Sequence, residues 1–363
     1  MSDDSCAPSI CLLGPPIAHR DSLLAALRTF TPNVAWLPDL ASFLRGSGRR
    51  RSTSRRFCDL AFGLRDGAYR ALVNSEIERT KPSLVMAYWG TLPLVEIKML
   101  RRYHPELKVV LVMLCYPLGL SAGEIARQHF ALRSVADSID VIICPTMDMS
   151  SYLRANVFGK RSPYLAEIAP YWPRSYLARA RSSPAMNSPN IVFAGRTDLH
   201  SRNAQKGDDV RRQLDEIMGA GIDIFHASSQ TPFPPDPRRH LFPPLEIKEL
   251  IEVMGRYDAS LMIYNSEDCR RKERFDLTVP DRLISSVAAG VPIAISRAGY
   301  TASRNYLRSY RAVIEFADWT DLSRQLSDRE KLSAMKDAAW QDRERYTAED
   351  SGADYKSLIE TIL

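Results

Sequence analysis

The sequence predicts an α/β protein made of two doubly wound domains. Short apolar runs alternate with longer amphipathic segments along the whole chain, the pattern of parallel strands joined by crossover helices. One run, Leu107–Leu114, is almost continuously apolar, as expected of a parallel strand covered on both faces. A polar stretch, Arg181-Ser-Ser-Pro-Ala-Met-Asn-Ser-Pro189, interrupts the alternation midway, after which it restarts. At 363 residues the chain is long enough for two cores of ordinary size.

Taken in order, Ser9–Leu13 reads as a strand ending at Gly14-Pro15-Pro16, and Asp21–Thr29 as the helix after it. Strand Ser83–Ala87 and helix Leu94–Tyr103 follow. Strand Leu107–Leu114 leads to helix Ala122–Ala136, and strand Val141–Cys144 to helix Met147–Asn156. Beyond the polar break come strand Asn190–Ala194, helix Asp209–Met218, strand Ile222–His226 and helix Leu245–Arg256. Strand Ala259–Tyr264, helix Asp281–Ala289 and strand Pro292–Ser296 complete the second half, and Ala348–Leu363 reads as a closing amphipathic helix. Two such halves imply a cleft between them, with ligands beyond the carboxyl ends of the strands.

Hydrophobic residues at 45% and charged residues at 25% describe a soluble globular chain rather than a disordered one. The net charge of +6 favours acidic partners: phosphates, nucleic acid or an anionic membrane surface. The start, Met1-Ser-Asp-Asp-Ser5, lacks the basic, apolar pattern of a secretory signal. The longest apolar run, Val109–Leu120, holds a Pro and a Gly and falls well short of the about 20 residues a bilayer requires. The expectation is therefore a cytoplasmic protein whose membrane contact, if any, is peripheral at the inner face. Six cysteines without a C-x-x-C pair point to a reducing compartment, with no disulfide framework and no zinc site. Six arginines fall between Arg45 and Arg56, with no aromatic before Phe57, which argues against a nucleic-acid platform. Two readings stand for them: a solvated loop, or contact with anionic lipid headgroups.

Three segments of the second half carry a more specific signal. They are Ile191-Val-Phe-Ala-Gly-Arg196 with Lys206-Gly207 after it, Leu250–Tyr264, and Val279-Pro-Asp-Arg-Leu-Ile-Ser-Ser-Val-Ala-Ala-Gly-Val-Pro-Ile-Ala-Ile295. In this order they resemble the donor-binding domain of the large retaining family of GT-B glycosyltransferases. The resemblance covers Asn190–Ser296 and the closing helix; in the N-terminal half it extends only to layout. It implies two Rossmann-like domains facing each other across a cleft: an acceptor-binding domain over 1–182 and a nucleotide-sugar domain over 190–345. The helix over 346–363 would cross back onto the first domain. It further implies transfer of a sugar from a nucleotide-sugar donor to a carbohydrate or lipid-linked acceptor, with retention. No metal or other cofactor would be needed, because Arg196 and Lys206 would neutralise the departing diphosphate. A role in surface-polysaccharide biosynthesis follows only by analogy. The family pattern also carries a pair of glutamates, the second of which binds the donor ribose. Here Leu277 and Ser285 occupy those positions, and a hydroxyl bonds a ribose more weakly than a carboxylate does. That departure keeps two alternatives open, a sugar-nucleotide epimerase and a non-catalytic partner subunit.

Physical reading of the same residues agrees with a diphosphate site. Gly195 ends a strand where a missing side chain lets a ligand approach the backbone. Arg196 offers a planar fork for phosphate oxygens and Lys206 a second positive charge. The helix opening at Asp281 and Arg282 presents free N–H groups to an anion. Asn265 and Ser266, after the strand ending at Tyr264, either hydrogen-bond the donor sugar or form a polar turn. In the first half, Gly14 is assigned to the donor-facing loop. His19 is either the proton-transfer residue or a surface histidine. Tyr88 and Trp89, at a strand end, either stack on the acceptor sugar or anchor the core.

Overall fold

The computed structural model describes residues 7–46, 67–113, 119, 121–181, 188–200, 206–229, 233–267, 269 and 273–363; the side chains of Arg45 and Lys206 lie outside that description. The chain divides into two compact units, Met1–Pro170 with Ala348–Leu363, and Tyr171–Thr347. Each unit contains a six-stranded sheet.

In the N-terminal unit the strands are β1 (Ile10–Leu13), β2 (Val34–Leu37), β3 (Leu84–Tyr88), β4 (Lys108–Val112), β5 (Val141–Cys144) and β6 (Tyr164–Glu167). Their order is β2-β1-β3-β4-β5-β6, and every pairing is parallel. β1, β3 and β5 are buried at every position, which explains why they read as apolar runs. The edge strands β2 and β6 are only partly buried, and sequence reasoning passed over both, β2 although all four of its residues are apolar. Helix Gly67–Thr80 was missed for a related reason. Only Tyr69, Val73 and Ile77 of it are buried, a one-residue-wide stripe in a polar segment. Helix Met147–Leu153 stops short of the expected Asn156, where Arg154–Phe158 winds into a π turn.

The C-terminal unit holds β7 (Asn190–Phe193), β8 (Asp223–Ala227), β9 (Arg239–Phe242), β10 (Ala259–Met262), β11 (Ile293–Ser296) and β12 (Val313–Phe316). The order is β12-β11-β10-β7-β8-β9, again parallel throughout. Helix Asp281–Ala289 matches its sequence prediction at both ends. Pro280 supplies an extended N-cap, and Gly290 stops the helix in the left-handed region at φ +63°. A side chain at Gly290 would also collide with Arg343 Cδ, 2.8 Å from the position of a Cβ.

The division between the units falls at Pro170–Tyr171, ahead of the expected linker. Composition marked the Pro/Ser-rich stretch, but Tyr171–Arg181 already belongs to the second unit. There Trp172 is buried and donates from Nε1 to Ser285 Oγ (3.0 Å), and Ala178 N–H donates to Ala288 O (3.2 Å). Residues 182–187 of the expected linker lie outside the described residues.

The closing helix, Gly352–Ile362, packs on helix Ala18–Arg28 of the first unit. Tyr355, Leu358 and Ile359 join the core built from Ile10, Leu12, Leu23, Leu27 and Met86. Contact depends on Gly352, where a Cβ would lie 2.1 Å from Thr29 Oγ1 and 2.9 Å from Ala26 O. We expect Gly352→Val to cost about 1–3 kcal/mol by overpacking, or roughly 2–12 °C of melting temperature for a unit of this size. Thermal unfolding followed by circular dichroism checks this; an unchanged midpoint would mean that the helix does not depend on so close an approach.

Candidate functional site

Strand order picks out one place in each sheet. In the C-terminal unit the chain runs from β7 outward to β8 and β9, then crosses back to β10 on the other side of β7. The connections after β7 and β10 therefore diverge and leave a crevice beyond their carboxyl ends, the usual ligand position in an open parallel sheet.

Several expected residues meet at that point. Gly195 follows β7, and the space a Cβ would occupy lies 2.6 Å from Arg282 Nη1 and 2.1 Å from Phe193 Cζ. The vacancy at Gly195 is thus used by the protein itself, which corrects the expectation that a ligand approaches the backbone there. Arg282, from the first turn of helix Asp281–Ala289, donates from Nη1 to Ile263 O (2.8 Å) at the end of β10. Its guanidinium lies 4.0 Å from the Tyr264 ring centroid and 5.4 Å from that of Phe193. One hydrogen bond and two aromatic faces hold the cation over the crevice. Arg196 is partly exposed, with Nη1 3.7 Å from Asp208 Oδ2. Lys206 opens the short turn Lys206–Asp208, and its side chain lies outside the described residues. That turn is tied to the β10 loop, since Asn265 N–H donates to Gly207 O (3.0 Å) and Cys269 Sγ–H to Asn265 O (3.3 Å). Ser266 N–H turns back to Tyr264 O (3.0 Å). Asn265 is buried and Ser266 half-buried.

Helix Asp281–Ala289 begins without a side-chain cap. Ser285 lies elsewhere: it is fully buried, donates to Asp281 O (2.8 Å) and accepts from Trp172. It links the helix to Trp172 and does not line the crevice, a correction to its assignment at a ribose. Leu277 is buried as well.

The structure adds residues that sequence reasoning missed. Tyr264 packs on Arg282 and on Phe275, and its N–H donates to Tyr300 Oη (2.9 Å). Burial pushes the Tyr300 hydroxyl up to about 12. Tyr300 sits thirty-six residues on in sequence, so no local pattern could have joined the two. His226, at the end of β8, is fully buried, with Nδ1–H donating to Ala227 O (2.9 Å). Its Nε2 has no hydrogen-bond partner among the described residues. Burial pushes the pKa of His226 down, the bond to Ala227 opposes this, and Arg239 adds to it. The folded state therefore keeps His226 neutral, whereas the unfolded chain takes up a proton near pH ~6.5. Stability should fall as pH drops below that value toward the lower folded pKa. The melting temperature is expected to decline between pH 7 and 5.5, and His226→Gln to flatten the decline; an equal slope in the variant would assign it to other groups.

The N-terminal unit has its own crossing point, between β1 and β3. Tyr88 belongs to the core there, which corrects its place at an acceptor. It is fully buried, its hydroxyl donates to Pro15 O (2.6 Å), and its ring fills the space a Cβ at Gly14 would need, 2.8 Å away. Gly14 accordingly packs its Cα face against Tyr88. His19 is a buried residue of helix Ala18–Arg28, not a surface loop histidine, with its ring centroid 4.9 Å from that of Trp89. Trp89 is half-buried and has a backbone φ of +80°.

Cys11, Cys144 and Cys269 are buried free thiols; Cys6, Cys58 and Cys115 lie outside the described residues, as does the arginine run apart from the backbone of Arg45. Among the described residues no three His, Cys, Asp or Glu side chains gather to hold a metal ion. None of their helices is long and apolar enough to cross a membrane.

Two Rossmann-like units, each a parallel six-stranded sheet flanked by helices, define the GT-B glycosyltransferase fold. The chain is similar to sucrose-phosphate synthase from Thermosynechococcus elongatus at 13% identity and a TM-score of 0.65, covering 98% of this chain and 100% of that one. It is also similar to HepE of Anabaena in complex with UDP and glucose (11%, TM-score 0.61, 98% and 100% covered) and to the trehalose-6-phosphate synthase OtsA (10%, 0.63, 98% and 99%). At such identities the likeness establishes the fold. No protein-family model matches the sequence, and no curated protein matches it.

Proposed function

We propose that the protein is a glycosyltransferase that moves a sugar from a nucleotide-sugar donor to a carbohydrate or lipid-linked acceptor, with retention and without a metal. The observation that carries this reading is Arg282, held by Ile263 O and the Tyr264 ring over Gly195 where the strand order of the second sheet reverses. A guanidinium fixed in that way is preorganised for the charge that grows on a departing diphosphate, which is where electrostatic catalysis is largest. Arg196 would supply the second cation, with Lys206 added on sequence grounds. Two neighbours in fold lend support: HepE was solved with UDP and glucose, and a trehalose-6-phosphate synthase has been studied for glycosyl transfer with retention. Contact with an anionic membrane surface rests on the arginine run alone.

One observation favours a second reading, a partner subunit without catalysis: buried Ser285 leaves no carboxylate for a ribose at that position. A panel of nucleoside diphosphates and nucleotide sugars, tested by thermal shift, separates the two. A ligand at 100 times its Kd should stabilise the native state by about 2.7 kcal/mol. A rise with one nucleotide supports the transferase reading and names the base; no rise with any at millimolar concentration supports the partner subunit. Conversion of the nucleotide sugar without transfer to any acceptor would instead identify an epimerase.

A further inference from the structure

We propose that the N-terminal unit carries a site for an anionic amphiphile, a phosphate or carboxylate on an apolar body, with Arg20 as its anion-binding residue. Arg20 lies on the wall of a cavity of about 190 Å³ at the carboxyl ends of β1 and β2, with Trp36, Pro38, Phe43 and Leu72 among the apolar groups around it. Its guanidinium is 4.7 Å from the Trp36 ring centroid, a stacking that fixes the plane of the fork. Nε is shut off from solvent and has no hydrogen-bond partner among the described residues. The Nη groups are the donors left for an incoming anion, whose charge pairs with that of the guanidinium as a whole.

The nearby acids are already engaged. Asp39 Oδ1 accepts Ser42 N–H (2.8 Å), and buried Glu96 accepts Leu40 N–H through Oε1 (3.3 Å). Neither forms an ion pair with Arg20. A second, smaller cavity of about 70 Å³ shares Gly14 and Asp39 with the first and is lined by Leu40, Leu44 and Leu92. One cation, among the described residues, at the wall of neighbouring apolar spaces suits an anionic head with an apolar body, and suits neither a free sugar nor inorganic phosphate. Calling this ligand the acceptor rests on the transferase reading above; the site itself does not.

Isothermal calorimetry with octyl phosphate, octanoate, octyl glucoside and inorganic phosphate tests it. Octyl phosphate or octanoate should bind at least ~10-fold more tightly than the neutral amphiphile and the free anion, the value of one charge-assisted contact. Tighter octyl phosphate would name a phosphate head and tighter octanoate a carboxylate. Arg20→Gln should lose that advantage. Leu72→Asp, at an exposed position of the lining, should weaken the anions by charge repulsion more than it weakens octyl glucoside. Equal binding of charged and neutral amphiphiles, or no effect of either variant, would overturn the proposal. Nucleotide-dependent stabilisation read on the same samples keeps the two claims apart, because Arg20 and Arg282 belong to different units. Anion binding without nucleotide binding would refute the donor site and leave this one standing; the converse would refute this one.

Discussion

Arg282→Ala is expected to remove most of the nucleotide-dependent stabilisation and to slow sugar transfer by about 10²–10³-fold. Hydrogen bonds to a charged group contribute about 1.5–3 kcal/mol, so the Kd for the nucleoside diphosphate should rise roughly 10- to 150-fold. Arg282 also donates to Ile263 O and packs on Tyr264, so the variant will melt somewhat lower even without ligand. The quantity to compare is therefore the ligand-induced shift, not the midpoint. Arg282→Lys keeps the charge but loses the fork and the stacking plane, and should fall between wild type and alanine. An unchanged ligand shift in Arg282→Ala would move the phosphate site away from the β7–β10 crevice.

Ser285→Glu should destabilise the protein by about 3–5 kcal/mol, because it buries a carboxylate without a partner of opposite charge. Ser285 is fully enclosed, and its hydroxyl already bonds Asp281 O and Trp172 Nε1–H. A glutamate adds a methylene and a carboxylate in place of a hydroxyl in filled space, and sets a charge against an indole N–H that can satisfy only one of its oxygens. The melting temperature of the variant should drop by roughly 6–20 °C, measured in buffer and with excess nucleotide. A wild-type midpoint combined with tighter nucleotide binding would show that the position opens to a ligand. Such a result would return Ser285 to the ribose assignment that the resemblance implied.

The two variants mark the limit of what local pattern reveals. Doubly wound architecture was legible because fully buried strands such as β1, β3 and β5 must be apolar throughout. Strands β6 and β9, half in solvent, mix polar residues into the run and carry no such mark. The Gly195–Arg196 strand end and the helix start at Pro280 were equally legible, since glycine and proline constrain the backbone within a few residues. Burial was not. Tyr88 and Trp89 are neighbours at a strand end, yet the first is fully buried against Gly14 and the second half-exposed beside His19. Ser285 reads as a polar group in a promising motif, but its surroundings are set by Trp172, distant in sequence.

From its order of residues alone the chain specifies two parallel-sheet units, the crossover helices and the glycines and arginines at the strand ends, because these follow from hydrophobic period and backbone freedom. Which of those residues face a crevice depended on long-range packing. Arg282 reaches Gly195 and Ile263 because β7 and β10, distant in sequence, pair side by side; Tyr264 and Tyr300 meet beyond the ends of β10 and β11, which pair in the same way. Side-chain exposure is a property of neighbours brought together by the fold, and a sequence read along one dimension does not contain them.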